Sequence, residues 1–91
     1  MIQIATLETD KAERLMKALC NHFARKTTAK YEGHKGFIEF EASKCELTAT
    51  PSTLTFQAEA ETAEGLEHVK HVVANHLGRF TPGEDIQLGW K

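Results

Sequence analysis

The feature that most constrains the fold is an alternation of apolar and polar residues between residues 37 and 60. A period of two is typical of strands with one buried face, and turn residues interrupt it at Glu41–Lys44 and at Pro51-Ser52. The sequence therefore predicts three strands joined by tight turns, over residues 37–41, 45–50 and 54–60. Their apolar face carries Ile38, Phe40, Cys45, Leu47, Ala49, Leu54, Phe56, Ala58 and Ala60, and threonines and glutamates line the other face.

Helical periodicity precedes this meander. Asp10 and Glu13 form a capping box, with Thr9 as the competing cap, and the helix is predicted to run to about Lys26. Apolar residues recur at spacings of three and four, which indicates one buried stripe. The stripe consists of Ala12, Leu15, Met16, Leu19, Cys20 and Phe23.

A second helix follows the meander. Thr62 is its predicted cap, and Pro82-Gly83 ends it. Its core stripe is Leu66, Val69, Val73, Leu77 and Phe80. Short strands at residues 2–7 and 30–32 complete the order β-α-β-β-β-β-α.

Strand direction then selects the topology. Placing the first strand beside the fifth makes the sheet wholly antiparallel, in the order 1-5-4-3-2, whereas placing it beside the second creates a parallel pair. We favour the uniform sheet, which gives a two-layer α+β sandwich with both helices on the apolar face. TATA-binding-protein-like folds share this topology, an analogy that carries no function.

Size and charge exclude several classes of protein. The 91 residues are expected to form a single domain over residues 1–91, and 41% are hydrophobic, enough for a core. A net charge of -2 does not favour nucleic-acid binding, and no apolar run approaches the roughly 20 residues of a membrane span. Two cysteines do not make a disulfide framework, so a reducing cytoplasm is the expected location.

Five stretches together resemble a known bacterial family. They are Leu19–Lys26, Gly36–Phe40, Cys45–Ala49, His76–Phe80 and Trp90. With these motifs the chain resembles the domain of unknown function 2218 family over nearly its whole length. This chain has arginine at position 25, where the family pattern often has histidine, so a histidine-rich metal site at that helix end is not carried over.

The resemblance implies a small standalone cytoplasmic protein without an established activity. Some relatives resemble companions of siderophore-interacting flavoproteins, or are fused to them. Such a flavoprotein is therefore an expected partner, and iron uptake is an expected context.

Two cysteines carry the first candidate site. Cys20 and Cys45 are both predicted to face the core near one end of the domain. They are interpreted as buried core residues, as a redox-active thiol pair, or as two ligands of a soft metal such as zinc or iron. The chain has no C-x-x-C motif, which favours the core interpretation.

The end of the first helix carries the second candidate site. His22 and Lys26 are predicted to line it, as contacts for a ligand or an anion. His76 lies late in a helix expected to run the other way, so we do not expect it to share a site with His22. No nucleophile–base arrangement can be assembled, so we expect neither an enzyme nor a cofactor.

The tail alternates again, over Ile86–Trp90. It is a candidate sixth, edge strand, either on its own sheet or on that of a second copy in a homodimer. Trp90 is expected to pack against the domain, since an undocked terminus frays.

Overall fold

The computed structural model describes residues 1–40, 42–81, 83 and 88–91. Seven elements follow one another in the predicted order. They are β1 (Ile2–Glu8), α1 (Ala12–Phe23), β2 (Thr28–Glu32), β3 (Lys35–Glu39), β4 (Ser43–Ala49), β5 (Thr53–Ala60) and α2 (Ala63–Arg79).

The sheet is antiparallel throughout and has the order β1-β5-β4-β3-β2, which confirms the predicted topology. One row of its inner face shows how the register places side chains. Ala5 lies opposite Phe56, Phe56 opposite Leu47, and Leu47 opposite Gly36. Gly36 has no side chain, and Met16 and Cys20 of α1 pack closely against it.

Both helices pack on this inner face, because a single cluster of buried residues joins them to the sheet. Cys20 is 1% exposed and Cys45 is not exposed at all, so both thiols belong to the core. The predicted α+β sandwich and the predicted burial of both cysteines are confirmed.

The ends of α1 differ from the prediction. Lys11 occupies the N-cap position with no side-chain cap, so the predicted Asp10–Glu13 capping box is wrong. The reason is the turn before it, where the Thr9 N–H donates to Ser52 O and Thr9 Oγ1 accepts from the Lys11 N–H. This turn places Asp10 before the N-cap.

The helix also ends at Phe23 rather than at Lys26. The N–H groups of Lys26 and Thr27 both donate to Phe23 O in a tight turn, which lets β2 begin at Thr28, two residues earlier than predicted. Arg25 and Lys26 therefore lie beyond the helix, at its carbonyl end.

The second helix starts as predicted, since Thr62 Oγ1 accepts from the Gly65 N–H at 3.0 Å. This start lies just after Ala60, which is opposite Ser43 at one end of the sheet.

The last turn of α2 lies near that same end. The Phe40 N–H donates to Ser43 O, the Phe40 ring is 5.6 Å from the Phe23 ring, and the Phe23 ring is 4.7 Å from the His76 ring. Because both ends of α2 lie near one end of the sheet, the helix crosses the strands obliquely. The expectation that His22 and His76 lie at opposite ends of the domain is wrong, since it assumed that both helices run along the strands.

The tail prediction falls partly outside the described residues, since 86 and 87 are not among them. The described tail residues, 88–91, do not form a sixth strand. Lys91 nevertheless exchanges two backbone hydrogen bonds with Ile4, of 3.1 and 3.0 Å, so the tail touches the free edge of β1.

Trp90 is docked, as predicted. It is half-buried, with its ring 6.4 Å from the Phe56 ring and the Lys70 ammonium 6.0 Å from its centroid. The same ammonium donates to Gln3 Oε1 at 2.7 Å. These contacts tie the tail, α2 and β1 together.

Candidate functional site

Two imidazole rings meet where the helices end. His22 lies in the last turn of α1 and His76 in the last turn of α2. Their ring centroids are 4.9 Å apart, with an angle of 48° between the ring planes. We call these two residues and the phenylalanines beside them, Phe23 and Phe80, the histidine cluster.

Both phenylalanine rings pack against His22. Phe23 is buried and meets His22 edge to face at 5.6 Å, and Phe80 meets His22 at 5.9 Å. His22, His76 and Phe80 are all half-buried. The cluster therefore has an apolar base and imidazole nitrogens within reach of a ligand.

The tautomer of His76 follows from its surroundings. Its Nδ1 lies 2.8 Å from the carbonyl oxygen of Val72. A carbonyl can only accept, so Nδ1 carries a hydrogen and donates it. When His76 is neutral, its Nε2 is therefore an acceptor, and in the described part of the chain no protein group bonds to that nitrogen.

Positive charge surrounds His22. Burial lowers the pKa of His22, and repulsion from His76, Arg79, Arg25 and Lys26 lowers it further. Cations beside the carbonyl ends of helices also interact favourably with the helix dipoles. Three permanent positive charges that act on one imidazole nevertheless form an electrostatic setting that attracts an anion.

The sequence names two residues at this place. His22 and Lys26 are the predicted contacts for a ligand or an anion, and the structure places His76 against His22, with Arg79 acting on the same ring. The sequence did not predict that His76 or Arg79 would lie there. The signal was present, because each helix carries a histidine and an arginine at its end. The error in the direction of α2 hid it.

The cysteine pair has different chemistry. Burial raises the pKa of Cys20, and it raises the pKa of Cys45 to about 12, with Cys20 as a further cause. A thiolate, rather than a thiol, binds zinc or iron, so this environment opposes metal binding. Over the described ranges, no group of three or more histidine, cysteine or acidic residues is placed to hold a metal ion.

A groove crosses the outer face of β2, β3 and β4. Lys30, Lys35, Glu32 and Glu46 line it around the half-buried ring of Phe37. Its charges alternate in sign, so they do not converge on a ligand of one charge. In the chain as described, no helix is long and apolar enough to cross a membrane.

Comparison with known proteins gives a family and a related structure. A family model described as an uncharacterized protein conserved in bacteria, DUF2218, matches residues 4–91. The solved NMR structure of PA4090 from Pseudomonas aeruginosa is 30% identical and superposes with a TM-score of 0.85, over 99% of this chain and 94% of that chain. No curated protein matches the chain.

Proposed function

The chain belongs to the DUF2218 family of proteins conserved in bacteria, and on that premise we propose that it is a non-enzymatic domain that binds a small anionic molecule at the histidine cluster. The observation that carries the proposal is the meeting of the His22 and His76 rings, at 4.9 Å between centroids, where the charges of Arg25, Lys26 and Arg79 act on His22. Arginine and lysine donate charge-assisted hydrogen bonds to carboxylates and phosphates.

The shape of the site supports binding rather than catalysis. The rings lie at the surface where two helices end, and the three ring side chains that face outward are half-buried. An enzyme site commonly encloses its substrate and excludes water. The two thiols, which are potential nucleophiles, are buried and held in the protonated form.

The family resemblance supplies a context for the anion. Relatives that accompany siderophore-interacting flavoproteins suggest iron uptake, and ferric complexes of carboxylate or catecholate chelators carry negative charge. We propose an accessory role of this kind in the cytoplasm, with such a flavoprotein as a partner. A titration with ferric citrate tests the iron part. Paramagnetic broadening of the His22 and His76 signals would support it, and unaffected signals would contradict it.

Binding itself is tested by NMR titration with citrate, a polyanion of simple structure. We expect saturable shifts of the ring signals of His22, His76 and Phe80. We also expect the pKa of His22 to rise on binding, because the anion offsets the neighbouring cations that lower it.

A pair of lysine variants makes the test specific. Lys26→Gln should weaken binding by about 3- to 10-fold, since it removes one charge contact. Lys11→Gln removes the same charge beside the other end of α1, and should leave the affinity unchanged. Equal effects of the two variants, or shifts that do not saturate, would show that the anion senses only net charge.

A further inference from the structure

We infer that the histidine cluster selects an anion that still carries an O–H donor, of which hydrogen phosphate is the simplest, over an anion of similar shape and charge that has none. This inference rests on the proposed function and specifies its ligand. The arrangement that carries it is the bond from the Nδ1–H of His76 to Val72 O, at 2.8 Å.

That bond fixes what His76 presents to a ligand. With the hydrogen of the neutral ring on Nδ1, the lone pair is on Nε2. Rotating the ring to reverse this arrangement would break the bond between Nδ1–H and Val72 O. A neutral His76 is therefore an acceptor toward the site, whereas Arg79 and Lys26, whose charges act on the adjacent His22, are donors.

Tetrahedral oxyanions meet this pattern differently. Sulfate at neutral pH has only acceptor oxygens, so one of them would face the lone pair of Nε2. Hydrogen phosphate can donate its O–H to Nε2, while its other oxygens accept from the cationic side chains. Selectivity of this kind is strong when a polar group of the site would otherwise be left unpaired.

Protonation of His76 would remove the distinction, because both ring nitrogens are then donors. Burial, and repulsion from His76 and from the neighbouring Arg79, Arg25 and Lys26, lower the pKa of His22, which favours the neutral form of the ring beside His76.

The test compares potassium phosphate with potassium sulfate at equal ionic strength and about pH 7.5, by NMR titration or calorimetry. We expect phosphate to bind at least about fivefold more tightly.

Variants assign the selectivity to one nitrogen. His76→Lys supplies a permanent donor, so sulfate should bind as well as phosphate. His71→Lys adds the same charge at an exposed position of α2 and should keep the wild-type preference. The amide spectrum of each variant shows whether it is folded.

The outcomes separate the two claims. Equal binding of phosphate and sulfate to the wild-type protein overturns this inference but leaves anion binding intact. Absence of binding by citrate, phosphate and sulfate alike overturns the proposed function. Vesicles containing phosphatidate test a lipid headgroup as the phosphate source. We expect no cosedimentation, and cosedimentation that depends on His76 would overturn the assignment to a soluble anion.

Discussion

Gly36→Ala should destabilise the protein, because α1 leaves no room for a methyl group at this point of β3. A Cβ built on Gly36 would lie 2.9 Å from Cys20 Sγ, 3.1 Å from Met16 Cγ and 3.3 Å from Met16 Sδ. Cys20 and Met16 are both buried, at 1% and 0% exposure, so neither side chain can move into solvent.

The magnitude follows from two opposing effects. Overpacking a core costs about 1–3 kcal/mol. Replacing glycine by alanine inside a strand stabilises the folded state by about 0.5–1 kcal/mol, since glycine loses more backbone freedom on folding. The free energy of unfolding should therefore fall by about 1 kcal/mol, within a range of about 0–2.5 kcal/mol. For a domain of this size, 1 kcal/mol corresponds to about 4–8 °C in Tm.

Urea and thermal unfolding followed by circular dichroism measure this change. Gly78→Ala is the matched control, because a Cβ at that helical position meets nothing within 4 Å. It should stabilise the protein by about 0.5–1 kcal/mol.

A double-mutant cycle with Cys20→Ala identifies the clash. Removing the Sγ atom should make Gly36→Ala less destabilising, with a coupling energy of about 1 kcal/mol. The reasoning is refuted if Gly36→Ala stabilises the protein as much as Gly78→Ala does, or if the effects of Gly36→Ala and Cys20→Ala are additive.

Three further predictions concern the helix start, the buried thiol and the tail. Thr62→Ala should lower the free energy of unfolding by about 1 kcal/mol, whereas Asp10→Ala should change it by only a few tenths, because α1 has no side-chain cap. Stability measured by urea unfolding should fall as the pH rises from 9.0 toward about 12, because in this range Cys45 ionises in the unfolded chain but not in the folded one. A Cys45→Ala variant that shows the same fall would contradict this. Removing residues 88–91 should lower the Tm, since the backbone bonds of Lys91 and the packing of Trp90 are lost, and unchanged melting would show that the tail is not docked. If the tail bridges two copies, light scattering should give twice the chain mass for the intact protein and the chain mass for the truncated one.

The sheet was predictable because its signals are local. Alternation across residues 37–60 specifies which side chains are buried, and the turns between these strands are short, so neighbours in sequence become neighbours in the sheet. The order of helices and turns along the chain determines whether each strand runs up or down, and this leaves two positions for β1, beside β5 or beside β2. The structure has β1 beside β5, which keeps all pairs antiparallel.

The helix ends were less predictable, because competing groups decide them. Asp10 and Glu13 match a capping box by spacing, yet the turn held by Thr9 and Ser52 places another residue at the N-cap. The sequence of α2 does not predict its oblique path, because the apolar stripe determines which face of the helix is buried but not the direction in which the helix crosses the sheet. The contact between His22 and His76 depends on the direction of α2. The sequence therefore identifies both histidines but does not predict that their rings meet.

The sheet order also has a consequence for how the chain folds. β2 to β5 form a continuous meander in which every strand pairs with the next one along the chain, and such local pairing is quick to form. β1 pairs instead with residues 53–59, so it must wait until almost two thirds of the chain has been made. During synthesis β1 therefore emerges before the other strands of this sheet but is the last of them to be incorporated. Until then its Ile2 and Ile4, which are exposed even in the folded protein, have no contact with β5. Conditions that slow elongation before residue 60 would lengthen the period in which this segment is open to a chaperone or to aggregation.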